Sequence, residues 1–423
     1  MIPFSFVHTA DLHLGTPFQG ISGTSETVRG KLATATYDAF KQIISYAIEH
    51  RVDFLLVAGD IFDSAERSLR AQLAFLAGLK RLEDAGIQVF IAHGNHDPLD
   101  GWSAALDWPA NARIFGGGGV ERMIFHKDGQ AMAEILGISF AHRDITDNLT
   151  TLFPTPSPGL FSIGLLHCNV GSTGFENYAP CSLQDLVSSG MDYWALGHVH
   201  TRACLHERDP LVAYPGNPQG LHARETGARG FLHVRVDELG EARSQFIPSD
   251  AVRWTQDVLS INGMVRDADL QTALHQSLER IRQENGGRPT ICRLALEGRG
   301  PIHANLARIN YTSGLADSCR EAEEGREDFV WVEEIEDRTQ PSLDRNELLV
   351  RGDFTGDLVR LIEATITSEE GRAELEAPLS PVFQDARLCR LLEPPDEETL
   401  MELYRQAETL CLDKLLPEAG DAD

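Results

Sequence analysis

Positive charge is scarce in this sequence: 37 lysines and arginines stand against 64 aspartates and glutamates, a formal net charge of −27 over 423 residues. Sequence-independent affinity for nucleic acid comes mainly from cations that neutralise phosphates, so a chain that is basic throughout and grips DNA or RNA by bulk charge is excluded. A local basic stripe is not, nor is an acidic pocket whose sign bound divalent cations invert. The acid lies late, with −10 in residues 1–250 and −17 in the remaining 173. No uninterrupted apolar run approaches the roughly 18 residues of a membrane span. The opening stretch MIPFSFVHTADLHLG has no basic flank and no small-residue cleavage site, so a cytoplasmic protein without a membrane anchor is expected. The seven cysteines are odd in number, scattered and never spaced as CxxC, which argues against a disulfide framework and a thiolate zinc site. The run GGGG at 116–119 lacks the Lys-Ser/Thr of a phosphate loop and reads as a turn.

What the sequence does hold is polar clusters at strand ends. Phe4 to Thr9 is a short apolar run that ends in ADLH; residues 28–50 carry helical periodicity; DFLLVAGD is a continuous apolar strand; 66–85 is helical again; IQVFIAHGN is the next strand. This β-α-β-α-β order favours neighbouring parallel strands with helices on their faces. From about 110 the pattern shifts to short strands, two of which, FSIGLLH and DYWALGHVH, end in histidine. A domain boundary is expected near 250, and domains at 1–250, 251–345 and 346–423 follow: a site-bearing domain, a strand-helix-strand unit and a helical tail.

Open sheets place ligands at the carboxyl ends of strands, so these clusters share one rim. Asp11, His13, Asp60, Asn95, His167, His198 and His200 each follow an apolar strand. Carboxylate, imidazole and amide oxygen without thiolate suit manganese, iron or zinc in a reactive site. Seven ligands are too many for one catalytic ion and fit two ions that share a bridging carboxylate. Such a pair clamps a phosphate ester and generates hydroxide near neutral pH, and what it still lacks is a proton for the departing oxygen. His96, beside Asn95, is placed to supply it.

The ordered set ADLHLG, AGDIFD, GNHD, LLHCN and LGHVH resembles the calcineurin-like metallophosphoesterases over roughly residues 1–235. HTADLHLG, GDIFD, NYAPCSLQDL, DYWALGHVHTR and YPGNPQG are most similar to their DNA repair exonuclease branch, the SbcD and YhaO-like nucleases. The resemblance implies an α+β fold: a four-layer αββα sandwich with a smaller α/β capping domain that guides nucleic acid, and a helical C-terminal tail. It implies that Asp11, His13, Asp60 and His200 hold one ion and Asp60, Asn95, His167 and His198 a second, with Mn2+ as the expected metal. It also pairs His96 with the acid at Asp63 as the catalytic couple. Arg202 and Arg224, just after ligand strands, are candidates for phosphate contact. The implied partners are DNA and a coiled-coil ATPase of the structural-maintenance type, and a homodimer is left open.

Rival readings are a small-molecule phosphoesterase that cleaves cyclic nucleotides or a nucleotide diphosphate, and a non-catalytic scaffold subunit. A binding scaffold has no physical need of a complete hydroxide-generating site. His8 is expected to pack structurally, and Asp97 to brace its own turn. The last helix, about 396–416, carries an apolar stripe of Leu400, Leu403, Tyr404, Ala407, Leu410, Cys411 and Leu415 that must be covered by the chain's own second domain or by a partner.

Overall fold

The computed structural model describes residues 1–21, 24–63, 68–171, 178–342, 345–376 and 397–415. Contacts divide the chain into two compact units: Met1–Asp257 with Gln276–Arg293 and Ala316–Glu334, and Val258–His275 with Leu294–Leu315 and Ile335–Asp423.

The first unit is built on two six-stranded sheets. One contains β1 (Phe4–Thr9), β2 (Phe54–Ala58), β3 (Gln88–Ala92), β4 (Ala112–Ile114), β11 (Gly230–Val236) and β12 (Ala242–Pro248), in the order β12-β11-β1-β2-β3-β4. From β1 to β4 the pairing is parallel, and β11 closes antiparallel on β1 with Phe6 opposite Val234. The other contains β5 (Glu121–Lys127), β6 (Gln130–Gly137), β7 (Phe161–His167), β8 (Tyr193–Gly197), β9 (Ala203–His206) and β10 (Leu211–Tyr214), in the order β5-β6-β7-β8-β10-β9.

The continuous apolar strands are explained by burial on both faces, because successive side chains leave a strand on opposite sides. Phe54, Leu56 and Ala58 join Phe6, Phe90, Ile135, Phe161, Ile163 and Tyr193 in the core between the sheets. Leu55 and Val57, with Val89 and Ile91, face the helices α1 (Glu26–Glu49) and α2 (Leu69–Asp84) through Phe40, Ile43, Phe75 and Leu79. On the far side Leu136, Leu166, Trp194 and Leu196 pack against Leu186 of α3 (Leu183–Val187) and its surroundings. Helix, sheet, sheet and helix follow one another, as the resemblance implies. Ser25 and Ser68 cap α1 and α2 by accepting from Val28 N and Ala71 N.

Beyond 250 come β13 (Arg253–Ser260), α4 (Asp267–Glu284), β14 (Thr290–Glu297), α5 (His303–Leu306), α6 (Tyr311–Ala322) and β15 (Val330–Asp337), the strands forming a sheet in the order β13-β14-β15. Within the first unit, Val252, Trp254 and Ile291 pack on Ala35 of α1, and Phe329 and Trp331 on Val28. The helices α7 (Arg345–Val350), α8 (Phe354–Thr367), α9 (Glu369–Glu376) and α10 (Glu397–Leu415) belong to the second unit.

Of the two covers expected for the stripe on α10, the chain's own second domain or a partner, the fold supplies little of the first. Leu412 packs inward with Leu348 and Val359, while Leu403, Leu410 and Leu415 are exposed. Helical spacing placed Leu412 off the stripe, but α7 and α8 meet the neighbouring face. The side chain of Leu400 lies outside the described residues. No described helix is long and apolar enough to cross a membrane.

Candidate metal centre

Five strands of the two sheets end around one point. β1 delivers Asp11 and His13, β2 Asp60 and Asp63, β3 Asn95 and His96, β7 His167 as its last residue, and β8 His198 and His200. Asp11, His13, Asp60 and His198 all take left-handed backbone conformations, with φ of 53°, 43°, 52° and 102°. Such conformations are costly away from glycine and persist where the surroundings over-determine them, which is the mark of a functional rim. Close approach is secured by glycine. A Cβ on Gly94 would lie 2.2 Å from Asp60 Oδ1, and one on Gly59 2.4 Å from His167 Nδ1.

The side chains form two adjoining groups. In the first, His13 Nε2 and His200 Nε2 approach to 3.1 Å, and Asp11 completes a cluster with them. In the second, His167 Nε2 lies 2.9 Å from Asn95 Oδ1 and 3.3 Å from Asp60 Oδ2, and His198 Nδ1 lies 3.2 Å from the same Asn95 oxygen. Asp60 is also grouped with Asp11 and His167, so its carboxylate sits between the two groups.

Ring partners fix the tautomers. His13 Nδ1 donates to Asp63 Oδ1 at 3.1 Å, His200 Nδ1 to Glu225 Oε1 at 2.6 Å and His167 Nδ1 to the Ala58 carbonyl at 2.9 Å. When such a ring carries only its Nδ1 proton, Nε2 is left with a lone pair directed at the centre. With both rings neutral, two such lone pairs 3.1 Å apart beside a buried carboxylate repel one another until a proton or a metal cation lies between them. The donor set therefore fits divalent metal.

Electrostatics point the same way. Burial pulls His167 down, yet the charge and hydrogen bond of Asp60 override it and raise it to about 9. Asp60 is held well below the usual carboxylate range: burial opposes this, but His167, His13 and His96 outweigh it. His198 is lowered to about 3 by burial and then by His167. An imidazole kept neutral is a metal ligand in waiting.

Comparison with known proteins agrees with this chemistry. The model of the calcineurin-like phosphoesterases matches residues 4–202, and that of the metallophosphoesterase YhaO middle domain matches 254–340. The uncharacterized metallophosphoesterase YhaO of Bacillus subtilis (strain 168) is 37% identical over 411 residues, 96% of each chain. The chain belongs to the YhaO-like metallophosphoesterases. More distant similarity joins it to archaeal proteins named DNA double-strand break repair protein Mre11. That of Sulfurisphaera tokodaii is 24% identical and covers 88% of this chain and 95% of its own; that of Aeropyrum pernix is 33% identical over 56% and 58%. Calcineurin-like phosphoesterases bind divalent metals, and this metallophosphoesterase presents the ligand groups for them.

Asp63 and His96 meet in a way that spacing did not reveal. His96 Nδ1 donates to the main-chain carbonyl of Asp63 at 3.0 Å, while the Asp63 carboxylate is 3.6 Å from the same nitrogen and closer to His13. Asp97 does more than brace its own turn. Its carboxylate accepts from Gly94 N and also from Asp60 N and Ile61 N, so it ties the β3 loop to the β2 loop, and His93 Nδ1 lies 3.1 Å from it. His8 is structural as expected, bonded to Tyr193 OH and the Leu196 carbonyl. Arg202 is exposed and its guanidinium lies 4.2 Å over the Phe246 ring; Arg224 is exposed.

Two residues near the metallophosphoesterase centre escaped sequence reasoning. Glu225 is buried against His200 and lowered to about 2, burial opposing and the His200 hydrogen bond and charge prevailing. Arg229 donates to the His200 carbonyl at 2.5 Å and to Asn217 Oδ1 at 3.0 Å. Neither directly follows an apolar strand, as the ligands do. The only signal was an acid and a base inside the Gly-rich stretch that follows YPGNPQG.

Proposed function

We propose that this metallophosphoesterase is a two-metal exonuclease that cleaves phosphodiester bonds of DNA in repair, in the cytoplasm, with Mn2+ as its metal. The observation that carries the reading is the pair of ligand groups on either side of Asp60, with His96 beside them and a third exposed. Asp11, His13, Asp60 and His200 would hold one ion, and Asp60, Asn95, His167 and His198 the other. Bound ions of this kind supply Lewis acidity and bring the pKa of water down toward neutrality.

The chain's own residues do the rest. Asp60 N and Ile61 N are held by Asp97, and Asp60 Oδ1 accepts from His96 N at 2.9 Å, so the shared carboxylate cannot swing away. His96 gives its Nδ1–H to the Asp63 carbonyl, which leaves Nε2 to the substrate side, where it can hold a proton for the leaving oxygen. Similarity to proteins named for double-strand break repair supports DNA over a small diester. The exposed Leu403, Leu410 and Leu415 of α10 support a coiled-coil ATPase partner on that helix.

The test is purified protein with Mn2+ on end-labelled duplex and single-stranded DNA, alongside bis-p-nitrophenyl phosphate and cyclic nucleotides. Mononucleotide release from DNA ends is expected. Turnover of cyclic nucleotides with intact DNA would replace the exonuclease with a small-molecule phosphodiesterase.

A further inference from the structure

The site histidines are not equally well held. His167 ends β7, is fully buried and is held across the sheets by the Ala58 carbonyl at the end of β2. His200 lies three residues past the end of β8, its ring one third exposed, in a stretch without regular structure. A ring so placed is free to rotate about two side-chain bonds and to exchange tautomers unless something outside the centre holds it.

Glu225 is built to do so. It is 5% exposed, and both carboxylate oxygens are used: Oε1 accepts from His200 Nδ1 at 2.6 Å, Oε2 from Leu221 N at 2.7 Å. The hydrogen bond from Leu221 fixes the carboxylate, and the carboxylate fixes the ring. Arg229 holds the main chain of the same histidine, with its guanidinium on the His200 carbonyl. His222 stands at the rim with Nε2 3.5 Å from Glu225 Oε1.

We propose that Glu225 is a positioning residue for metal binding: it locks the Nδ1–H tautomer and the orientation of the His200 ring, so that Nε2 is presented to the ion held with Asp11 and His13. This rests on the centre being a metal site. It assigns to a loop carboxylate a role that a buried brace of the fold would not have, because a brace would change stability and leave ion affinity alone. Partners of this kind are worth about 10- to 100-fold in metal affinity.

The experiment is calorimetric titration of metal-free protein with Mn2+, comparing the wild type with Glu225→Ala and Glu225→Gln, with melting temperatures of all three metal-free forms. Glu225→Ala should weaken one of two ions by about 10- to 100-fold, and Glu225→Gln, which keeps an acceptor for Nδ1–H, by less. The other ion should bind as in the wild type. Wild-type affinity for both ions in a folded Glu225→Ala overturns the proposal, as does a fall in melting temperature with affinities unchanged. A wild type that binds no Mn2+ overturns the function proposed above; the positioning role is then decided by histidine nitrogen NMR of the metal-free wild type. His200 should be the Nδ1–H tautomer there, and a ring that exchanges freely between tautomers refutes it, also where neither variant folds.

Discussion

Gly94→Ala removes no ligand, no charge and no hydrogen bond, yet it should disable the centre. Gly94 has an ordinary backbone conformation, so the penalty is one of space. The new methyl would meet Asp60 Oδ1 at 2.2 Å, Asp60 N at 2.9 Å and His167 Cε1 at 2.9 Å, where ordinary contact begins at 3.4 Å. The carboxylate must therefore retreat by about 1.2 Å. It has nowhere to go, because Oδ1 accepts from His96 N and the Asp60 main chain is tied by Asp97. Overpacking of this kind costs about 1–3 kcal/mol of stability. A displacement of about 1 Å at a reacting centre costs roughly 10²-fold in rate. Hydrolysis of bis-p-nitrophenyl phosphate with Mn2+, read beside metal content, is the assay, and Gly118→Ala, which opens onto free space, is the control. Turnover within a few-fold of wild type, with the ions retained, would show that Asp60 is not confined as the structure has it.

Asp60→Asn should reduce turnover below detection, since a bridging position needs full negative charge to hold two dications together; near-normal turnover with two ions per chain refutes the bridge. His96→Ala should leave metal content intact and lower turnover by roughly 10²-fold, and a parallel loss of metal would make His96 a ligand. A chain ending at residue 250 loses Val252, Trp254, Ile291, Phe329 and Trp331 from the cover of α1, side chains worth about 1.5–3 kcal/mol each. It should melt far lower and lose activity on small diesters and DNA alike, whereas an unchanged melting curve would free α1 from that packing. Leu403→Glu with Leu410→Glu, at positions 45% and 58% exposed, should move stability by no more than about 0.5 kcal/mol per site while abolishing co-purification with a coiled-coil ATPase; a large drop in melting temperature assigns the stripe to the chain's own core.

The ligand strands were legible because each combines two signals: an apolar run that must be buried on both faces, and a polar residue where it stops. Leu55 and Val57 face one core and Leu56 and Ala58 the other, which is why DFLLVAGD shows no alternation and still reads as a strand. Helices α1, α2 and α4 were legible from periodicity. The supports around the ligands were not. Glu225 reaches His200 across 25 residues, and Asp97 reaches Asp60 across 37, through loops whose paths no local pattern specifies. The Asp63 carboxylate went to His13, 50 residues away, because the left-handed turns at Asp11, His13 and Asp60 bring those two loops together. On α10 periodicity gave the stripe, but which face turns inward was decided by Leu348 and Val359.

The pairing of β1 with β11 has a consequence for synthesis of the chain. Phe4 to His8 leave the ribosome well over 200 residues before their antiparallel partners, Leu232 to Val236. At about 5–20 residues per second that strand waits roughly 10–50 s for its neighbour, with one edge of backbone N–H and C=O groups open the whole time. His198, His200 and Glu225 emerge just ahead of β11, so the centre and the sheet edge close at nearly the same moment. A nascent chain released early would expose an apolar strand and an incomplete set of ligands together, which makes the stretch from 198 to 236 the point at which a ribosome-bound chaperone has most to protect.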